Sequence, residues 1–252
     1  METENKMAGY SELALGFVGG LNDIGPLIPA VAPDLKLSVR IVLEDAGSEA
    51  RIDLGSRPPK VDFGQKLPPA DITMSAKSKD FHDLLRGRLN LMQAWNDKKM
   101  LLEFVPTAFE NIPVPGKAPS EPVLVPGFVY EMYLKSIGAD KILEMPDNGD
   151  ARVALAPRRK GWFEKAALGF AWFFGALTGV VLRIVSRRMA KAKESEGLPD
   201  IEWGPIEQMP RPGKPIEPPR FARAILAWFF DRVDMFKLAR SFVGGARVTA
   251  PL

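Results

Sequence analysis

The chain contains no cysteine and only one histidine, His82, among its 252 residues. The absence of cysteine excludes disulfides, thiol nucleophiles and cysteine-based zinc or iron–sulfur sites. A single histidine cannot form a histidine metal cluster, and the Gly-x-Ser-x-Gly turn that often carries a nucleophilic serine is also missing. We therefore expect a protein that is not an enzyme and that needs neither a metal nor a cofactor.

A large charge of one sign is also missing, because 34 Lys and Arg are set against 31 Asp and Glu. A net charge of +3 gives no strong attraction of the whole molecule to nucleic acid. The basic residues instead bracket apolar, aromatic runs, as at 158–160, 183–193 and 220–223. Nucleic-acid binding would need aromatic residues interleaved with charges along a polar groove. The pattern therefore favours a membrane surface and no nucleic acid.

The amino terminus lacks the pattern of a secretory signal. Its start carries Glu2 and Glu4, its apolar run is short, and no Ala-x-Ala cleavage motif follows. We expect a cytoplasmic protein that is attached peripherally to the inner face of a membrane.

The first hundred residues show the changes of period that are typical of a mixed domain. A short helix is expected over 10–21, ending at the Gly19–Gly20 pair. Apolar residues that alternate with mostly polar neighbours predict a strand over 35–43. Shorter strands are predicted at 51–55, 60–64 and 70–75, and we expect these four strands to form an antiparallel meander.

The period then changes from strand to helix. Ser78 is expected to cap one helix and Asn90 a second, shorter helix, after which 99–105 returns to strand. His82 lies in the first of these helices, where we expect it at the surface or in a capping role. Strands followed by helices on one face of a sheet indicate an α+β fold.

One segment of 35 residues, ADITMSAKSKDFHDLLRGRLNLMQAWNDKKMLLEF, combines several motifs in a fixed order. An Ala-Asp-x-Thr-Met strand precedes an Asp-Phe helix, a Gly-x-Leu-Asn turn and an Ala-Trp pair. This segment resembles the sterol carrier protein type 2 (SCP2) family, and the resemblance extends over about residues 13–140. The matching residues are Ala70, Asp71, Thr73, Met74, Asp80, Phe81, Gly87, Leu89, Asn90, Ala94 and Trp95.

The resemblance implies an antiparallel-rich sheet covered by helices on one face, with an apolar tunnel for a lipid or sterol-like ligand. Asp71 and Asp80 are interpreted as a strand-end and a helix-start carboxylate, because acids are favourable in the first turn of a helix. The residues that would line the tunnel are apolar, and the alternative is that they fill a solid core. They are Phe81, Leu85, Leu89, Met92, Trp95, Leu102 and Phe104.

The block Ala-Trp-Phe-Phe occurs twice, at 171–174 and 227–230. The first copy lies among 17 uncharged residues between Lys165 and Arg183, about 25 Å of helix. A bilayer core requires about 20 residues, so we expect a helix that lies in one leaflet. Ala171, Gly175 and Gly179 recur at four-residue spacing and would let another helix approach closely.

The second copy lies in an amphipathic helix, so both segments are predicted to bind a membrane or a membrane protein complex. Burial in a partner protein or in an oligomer interface, and an ordinary internal helical hairpin, are the alternatives. The predicted contact residues are Trp162, Phe163, Phe170, Trp172, Phe173, Phe174, Gly175, Gly179, Arg187, Arg188, Trp228, Phe229 and Phe230.

These patterns divide the chain into a lipid-binding α+β domain and a helical, hydrophobic C-terminal extension. The domain is expected over 1–145, with a proline-rich loop at 106–126. The extension comprises a hydrophobic and basic helix, a proline-rich linker, and an amphipathic helix with a tail. Their ranges are 146–194, 195–220 and 221–252.

The function predicted from the sequence is binding and transfer of a lipid or sterol-type ligand by a membrane-associated carrier. The alternative is a non-catalytic accessory subunit of a larger enzyme complex. An enzyme that acts on a bound lipid is disfavoured by the missing cysteine and the single histidine.

Overall fold

The computed structural model describes residues 7–28, 36–105, 127–143, 152–156, 161–195 and 219–249. The proline-rich loop 106–126 and most of the linker 195–220 lie outside the described residues. The strands are β1 Met7–Gly9, β2 Ser38–Leu43, β3 Ser48–Asp53, β4 Lys60–Gly64, β5 Ile72–Ala76, β6 Met100–Phe104 and β7 Arg152–Ala154.

The described α-helices fall into a front group and a C-terminal group. The front group is α1 Tyr10–Gly19, α2 Leu21–Ile24, α3 Ser78–Leu85, α4 Leu91–Asn96 and α5 Gly127–Ser136. The C-terminal group is α6 Trp162–Ser195, α7 Arg220–Phe230 and α8 Met235–Thr249. Short 3₁₀ turns occupy Gly25–Leu27 and Asp140–Leu143.

Five strands form one sheet in the order β4-β3-β2-β5-β6. The sheet is antiparallel except for the central pair of β2 and β5, which is parallel. The predicted meander is therefore confirmed for β2 to β4 and wrong for β5. After β4 the chain crosses the sheet, and the Leu67 amide on the way donates to the Glu49 carboxylate at 2.8 Å. Alternation of apolar residues cannot reveal this crossing, because it is the same in parallel and antiparallel pairs.

The two faces of this sheet differ in chemistry. Ile41, Leu43, Ala50 and Met100 are buried on one face in a cluster that includes Phe81 of α3. On the opposite face, charged side chains pair across strands, as in the 2.7 Å contact between Arg40 and Glu49. The fold is thus α+β, with an antiparallel-rich sheet and helices on one side, as the sequence predicts.

Hydrogen bonds between Ser38 and Asp71 join the parallel strands β2 and β5 where both begin. The Asp71 carboxylate accepts from the Ser38 amide at 2.7 Å and from the Ser38 hydroxyl at 2.8 Å.

Asp71→Ala should lower the free energy of unfolding by about 1–3 kcal/mol, because the buried Ser38 donors lose their acceptor. Urea denaturation checks this. The matched control, Asp62→Ala, removes an exposed ion pair with Lys60 and should cost at most about 1 kcal/mol. Equal losses in the two variants would contradict the assignment.

Two helix caps were predicted in the front domain, and one of the predictions is wrong. Asn90 caps α4 as expected, because the Gln93 amide donates to its side-chain oxygen at 3.3 Å. Ser78 does not cap α3. Its own amide and hydroxyl donate instead to Asp45, in the turn after β2, at 2.8 and 2.7 Å. A carboxylate is a stronger acceptor than a hydroxyl, and its negative charge is favourable at the start of a helix.

His82 is buried with only 1% of its surface exposed, so the prediction of an exposed or capping histidine is wrong. Its ring lies 4.7 Å from the ring of Tyr10, and its Nδ1 is 3.0 Å from the Tyr130 hydroxyl. The reason is a second apolar cluster, where α1 and α5 meet beside the pair of β1 and β7. Because β7 at 152–154 pairs with β1, part of the chain beyond residue 145 belongs with the front strands. The predicted domain boundaries themselves stay a prediction.

The long helix α6 packs against α8, and the two helices run in the same direction. Glu164 pairs with Lys237 at 3.2 Å, and the Ser241 hydroxyl donates to the Leu168 carbonyl at 2.7 Å. Further along, the backbone at Gly175 lies against that of Phe242. Contacts that advance together along both helices define a parallel pair.

The C-terminal helices are also fastened to the front domain. Phe236 of α8 packs against Tyr133 at 5.1 Å between ring centroids and fills the space beside Gly20. Arg240 forms an ion pair with Asp23 at 2.8 Å, and Arg223 of α7 pairs with Glu131. In the described part of the chain, no helix combines the length and hydropathy that crossing a bilayer requires.

Candidate functional site

The residues predicted to line a tunnel lie at different depths in the front domain. Phe81 and Leu89 are buried in the sheet-side cluster, and Leu85 and Leu102 are partly buried against it. Trp95 and Phe104 are 44% and 43% exposed. The side chain of Met92 lies outside the described residues. The tunnel therefore stays a prediction, with four of its residues packed on one cluster.

A large apolar groove is found elsewhere, among the C-terminal helices. It has a volume of about 730 Å³ and lies between α6, α7 and the first half of α8, with Ile24 at one edge. We call it the three-helix groove. Nearly half of its fifteen lining residues are aromatic, and most of these were predicted as membrane or partner contacts. The aromatic residues are Trp162, Phe163, Phe170, Phe174, Phe229, Phe230 and Phe242.

Small residues create the space in this groove. Ala166, Ala167 and Ala171 on α6, and Ala239 on α8, stand between the larger rings. Some of the rings contact each other edge to face, as Phe163 and Phe229 do at 5.9 Å between centroids. Such pairs add about 0.5–1.5 kcal/mol beyond their buried area. The aromatic walls are thus held in place while the alanines leave room.

A second feature is the outer face of α6, turned away from α8. Side chains at three- and four-residue spacing share this face and are exposed, although all are apolar. Phe170 is 68% exposed, Phe173 55% and Val181 57%. We call this surface the α6 outer face. Its members are Phe170, Phe173, Phe174, Leu177, Val180, Val181 and Ile184.

The remaining predicted contact residues have other positions. Gly175 and Gly179 are buried, and Gly175 lies at the crossing with α8. Trp172 is partly exposed beside this crossing, and its carbonyl lies against Gly245. Trp228 carries the guanidinium of Arg232 over its ring at 4.5 Å. The side chains of Arg187 and Arg188 lie outside the described residues.

The charged residues of this region lie on both sides of an uncharged stretch of α6, and none is a member of the α6 outer face. Residues 158–193 contain nine basic residues and a single acidic one, Glu164, which is buried against Lys237. No charged residue occurs from 166 to 182. The α6 outer face is thus an apolar surface in a segment that has basic residues before and after it.

The buried histidine and its partners have strongly perturbed acidities. Burial, reinforced by the nearby Arg86, lowers the pKa of His82 to about 4. Burial raises the pKa of Tyr130 well above its usual range. Both groups are therefore neutral at physiological pH and form a neutral hydrogen bond. Among the described residues, no group of three His, Asp or Glu side chains could hold a metal ion.

The groove was not predicted as a ligand site. Part of its signal is in the sequence, because alanines and phenylalanines recur at helical spacing from Phe163 to Phe174 around the first Ala-Trp-Phe-Phe block. That signal does not show which segments face each other, and the groove is lined by Ile24 and by residues of three separate helices.

Comparisons with known proteins gave matches among solved structures alone, since neither a family model nor a curated protein matched the chain. Sterol Carrier Protein 2 Like 2 from Aedes aegypti is 17% identical, with a TM-score of 0.30, over 39% of this chain and 93% of that one. The UbiJ-SCP2 ubiquinone synthesis protein is 17% identical, with a TM-score of 0.28, over 39% and 84%. Sterol Carrier Protein 2 from Yarrowia lipolytica, in its apo form, is 16% identical, with a TM-score of 0.26, over 39% and 77%. The chain is thus similar to solved SCP2 domain structures over about 39% of its length.

Proposed function

We propose that this protein is a non-catalytic carrier that binds an apolar lipid and works at a membrane surface. The observation that carries the proposal is the α6 outer face, an apolar surface with basic residues before and after it. Exposed apolar patches of this kind are typical of sites that contact lipid or protein.

The energetics favour the interface of a bilayer over water. Since Phe170, Phe173 and Leu177 are 49–68% exposed, burial of the rest of each side chain in the acyl region would gain roughly 1–2 kcal/mol. Each basic residue close to an anionic surface adds about 1 kcal/mol. The anionic leaflet is usually the cytoplasmic one, so the proposal assigns the protein to that side of the membrane.

The lipid itself needs an apolar site, and the chain offers two candidates. The predicted tunnel in the front domain is implied by the resemblance to SCP2. The three-helix groove is formed by the same helices that carry the α6 outer face. Attachment to a membrane would keep either site close to its source of lipid and raise the effective concentration for delivery.

Vesicle sedimentation tests the proposal. The wild-type protein should sediment with vesicles that contain phosphatidylserine, and less with pure phosphatidylcholine or at high salt. Phe173→Asp should reduce vesicle binding by at least about tenfold, because a carboxylate must be left in the acyl region. The matched control, Val248→Asp, changes another exposed apolar residue, on α8, and should bind as wild type. A wild-type protein that stays in the supernatant would refute the membrane assignment.

The second candidate function is that of an accessory subunit in a larger complex, and the same α6 outer face favours it. A partner protein could cover this face instead of lipid. Stoichiometric co-purification of another protein, lost in Phe173→Asp and retained in Val248→Asp, together with no vesicle binding, would establish this role.

A further inference from the structure

We infer that the three-helix groove holds the hydrocarbon chain of a lipid, with the polar head left outside the groove. The inference rests on the proposed lipid-binding function and gives it a site and a ligand class. It concerns the C-terminal helices and not the tunnel expected in the front domain.

The chemistry of the lining selects hydrocarbon. None of the fifteen lining residues that the structure describes carries a charge, and the indole N–H of Trp162 is the one side-chain hydrogen-bond donor among them. A polar occupant would lose its hydrogen bonds to water without replacement, at a cost of several kcal/mol. An alkyl chain loses nothing, since it forms no hydrogen bonds.

The dimensions also fit a chain. A volume of about 730 Å³ lies within the roughly 300–1,000 Å³ that small-molecule sites occupy. Ala166, Ala167 and Ala239 are small members of a lining that is otherwise rich in aromatic rings, such as those of Phe163 and Phe242. Rigid aromatic walls beside small residues suit a long, narrow apolar guest that can lie along the helices.

The position of the groove supplies a route of entry. Phe170 and Phe174 line the groove and also belong to the α6 outer face. The groove therefore opens beside the surface that we propose to contact the bilayer. A lipid chain can move between bilayer and groove along these two rings without crossing water.

Binding of cis-parinaric acid, a fluorescent fatty acid, tests the inference on the full chain in solution. The wild-type protein should bind one probe molecule and enhance its fluorescence. Ala167→Trp fills the groove and should weaken binding at least about tenfold, which corresponds to about 1.4 kcal/mol. The matched control, Gly169→Trp, places the same indole at an exposed site of α6 where an added Cβ atom has no neighbour within 4 Å, and should bind as wild type. Ala166→Trp, on an exposed part of the lining, is the second variant if Ala167→Trp does not fold.

Two results would overturn the inference. Unchanged binding in a folded groove-filling variant would locate the probe elsewhere, for example in the front domain. Absence of probe binding by a wild-type protein that sediments with vesicles would also overturn it, and would leave the membrane proposal intact. Conversely, Phe173→Asp has an unaltered groove and should keep its affinity for the probe, even when it no longer binds vesicles.

A second experiment determines whether the bound hydrocarbon belongs to a phospholipid or to a free fatty acid. The protein is incubated with phosphatidylglycerol vesicles that contain oleic acid, separated from them, and analysed by native mass spectrometry. If the protein retains either phospholipid or fatty acid, and Ala167→Trp does not, the result supports a hydrocarbon-chain site and identifies the lipid that occupies it. Retention of neither, or of both equally in the variant, overturns the inference.

Discussion

Gly245→Ala should destabilise the contact between α6 and α8, whereas the same substitution at the neighbouring Gly244 should not. A methyl group at Gly245 would stand 1.8 Å from the carbonyl oxygen of Trp172, a backbone atom that cannot rotate away. The two helices must then separate or shift, at a cost of about 3 kcal/mol. At Gly244 the nearest atom is 3.8 Å away, and alanine should stabilise the helix by about 0.5–1 kcal/mol.

Urea denaturation followed by tryptophan fluorescence measures the difference, since Trp172 lies directly at the crossing. Gly175→Ala offers an independent check from the opposite helix, because its methyl group would stand 1.9 Å from the Phe242 carbonyl oxygen. Similar stabilities for the Gly244 and Gly245 variants would show that α6 and α8 are not this close in solution.

Acidification from pH 6.5 to 4 should lower the free energy of unfolding by about 3 kcal/mol through His82 alone. Its pKa is about 4 in the folded protein and about 6.5 in the unfolded chain. Between these values the unfolded chain binds a proton that the folded protein does not. Stability therefore falls by about 1.4 kcal/mol for each pH unit as the pH decreases, and this contribution is constant above pH 6.5 and below pH 4.

His82→Asn removes this titration and keeps a hydrogen-bonding group beside Tyr130. The variant should have a flatter dependence of stability on pH in this window, measured by urea denaturation at several pH values. Glu12 and Glu49 also have lowered pKa values, so their protonation in acid lowers the free energy of unfolding, but it does so equally in wild type and variant. Parallel curves for wild type and variant would rule out a buried neutral histidine.

The sequence predicted strands β2 to β6 and helices α1, α3 and α4, because each of these has a local pattern, whereas the short strands β1 and β7 were not predicted. The alternation from Val39 to Leu43 identifies the central strand without knowledge of its neighbours. The parallel pairing of that strand with β5 was missed, since it depends on a crossing chain held by Glu49. The burial of His82 was missed for a similar reason, because its partner Tyr130 lies 48 residues away.

Contacts between residues that are distant in the sequence were even harder to predict for the C-terminal helices. The small residues around Gly175 indicated that a helix would approach, and the structure identifies that helix as α8. The three-helix groove could not be predicted, because it arises where Phe170 and Phe242, from helices on either side of a long linker, face the same space. A hydrophobic segment in a sequence does not reveal whether it encloses a space or only covers a surface.

The position of Phe236 beside Gly20 also bears on the way the protein is made. The ribosome completes β7 about 80 residues before it reaches Phe236. At a translation rate of roughly 5–20 residues per second, the rings of Phe17 and Tyr133 lack their contact with Phe236 for several seconds. During that interval the nascent front domain presents an uncovered aromatic patch, and chaperones have the opportunity to act on it before the last helix arrives.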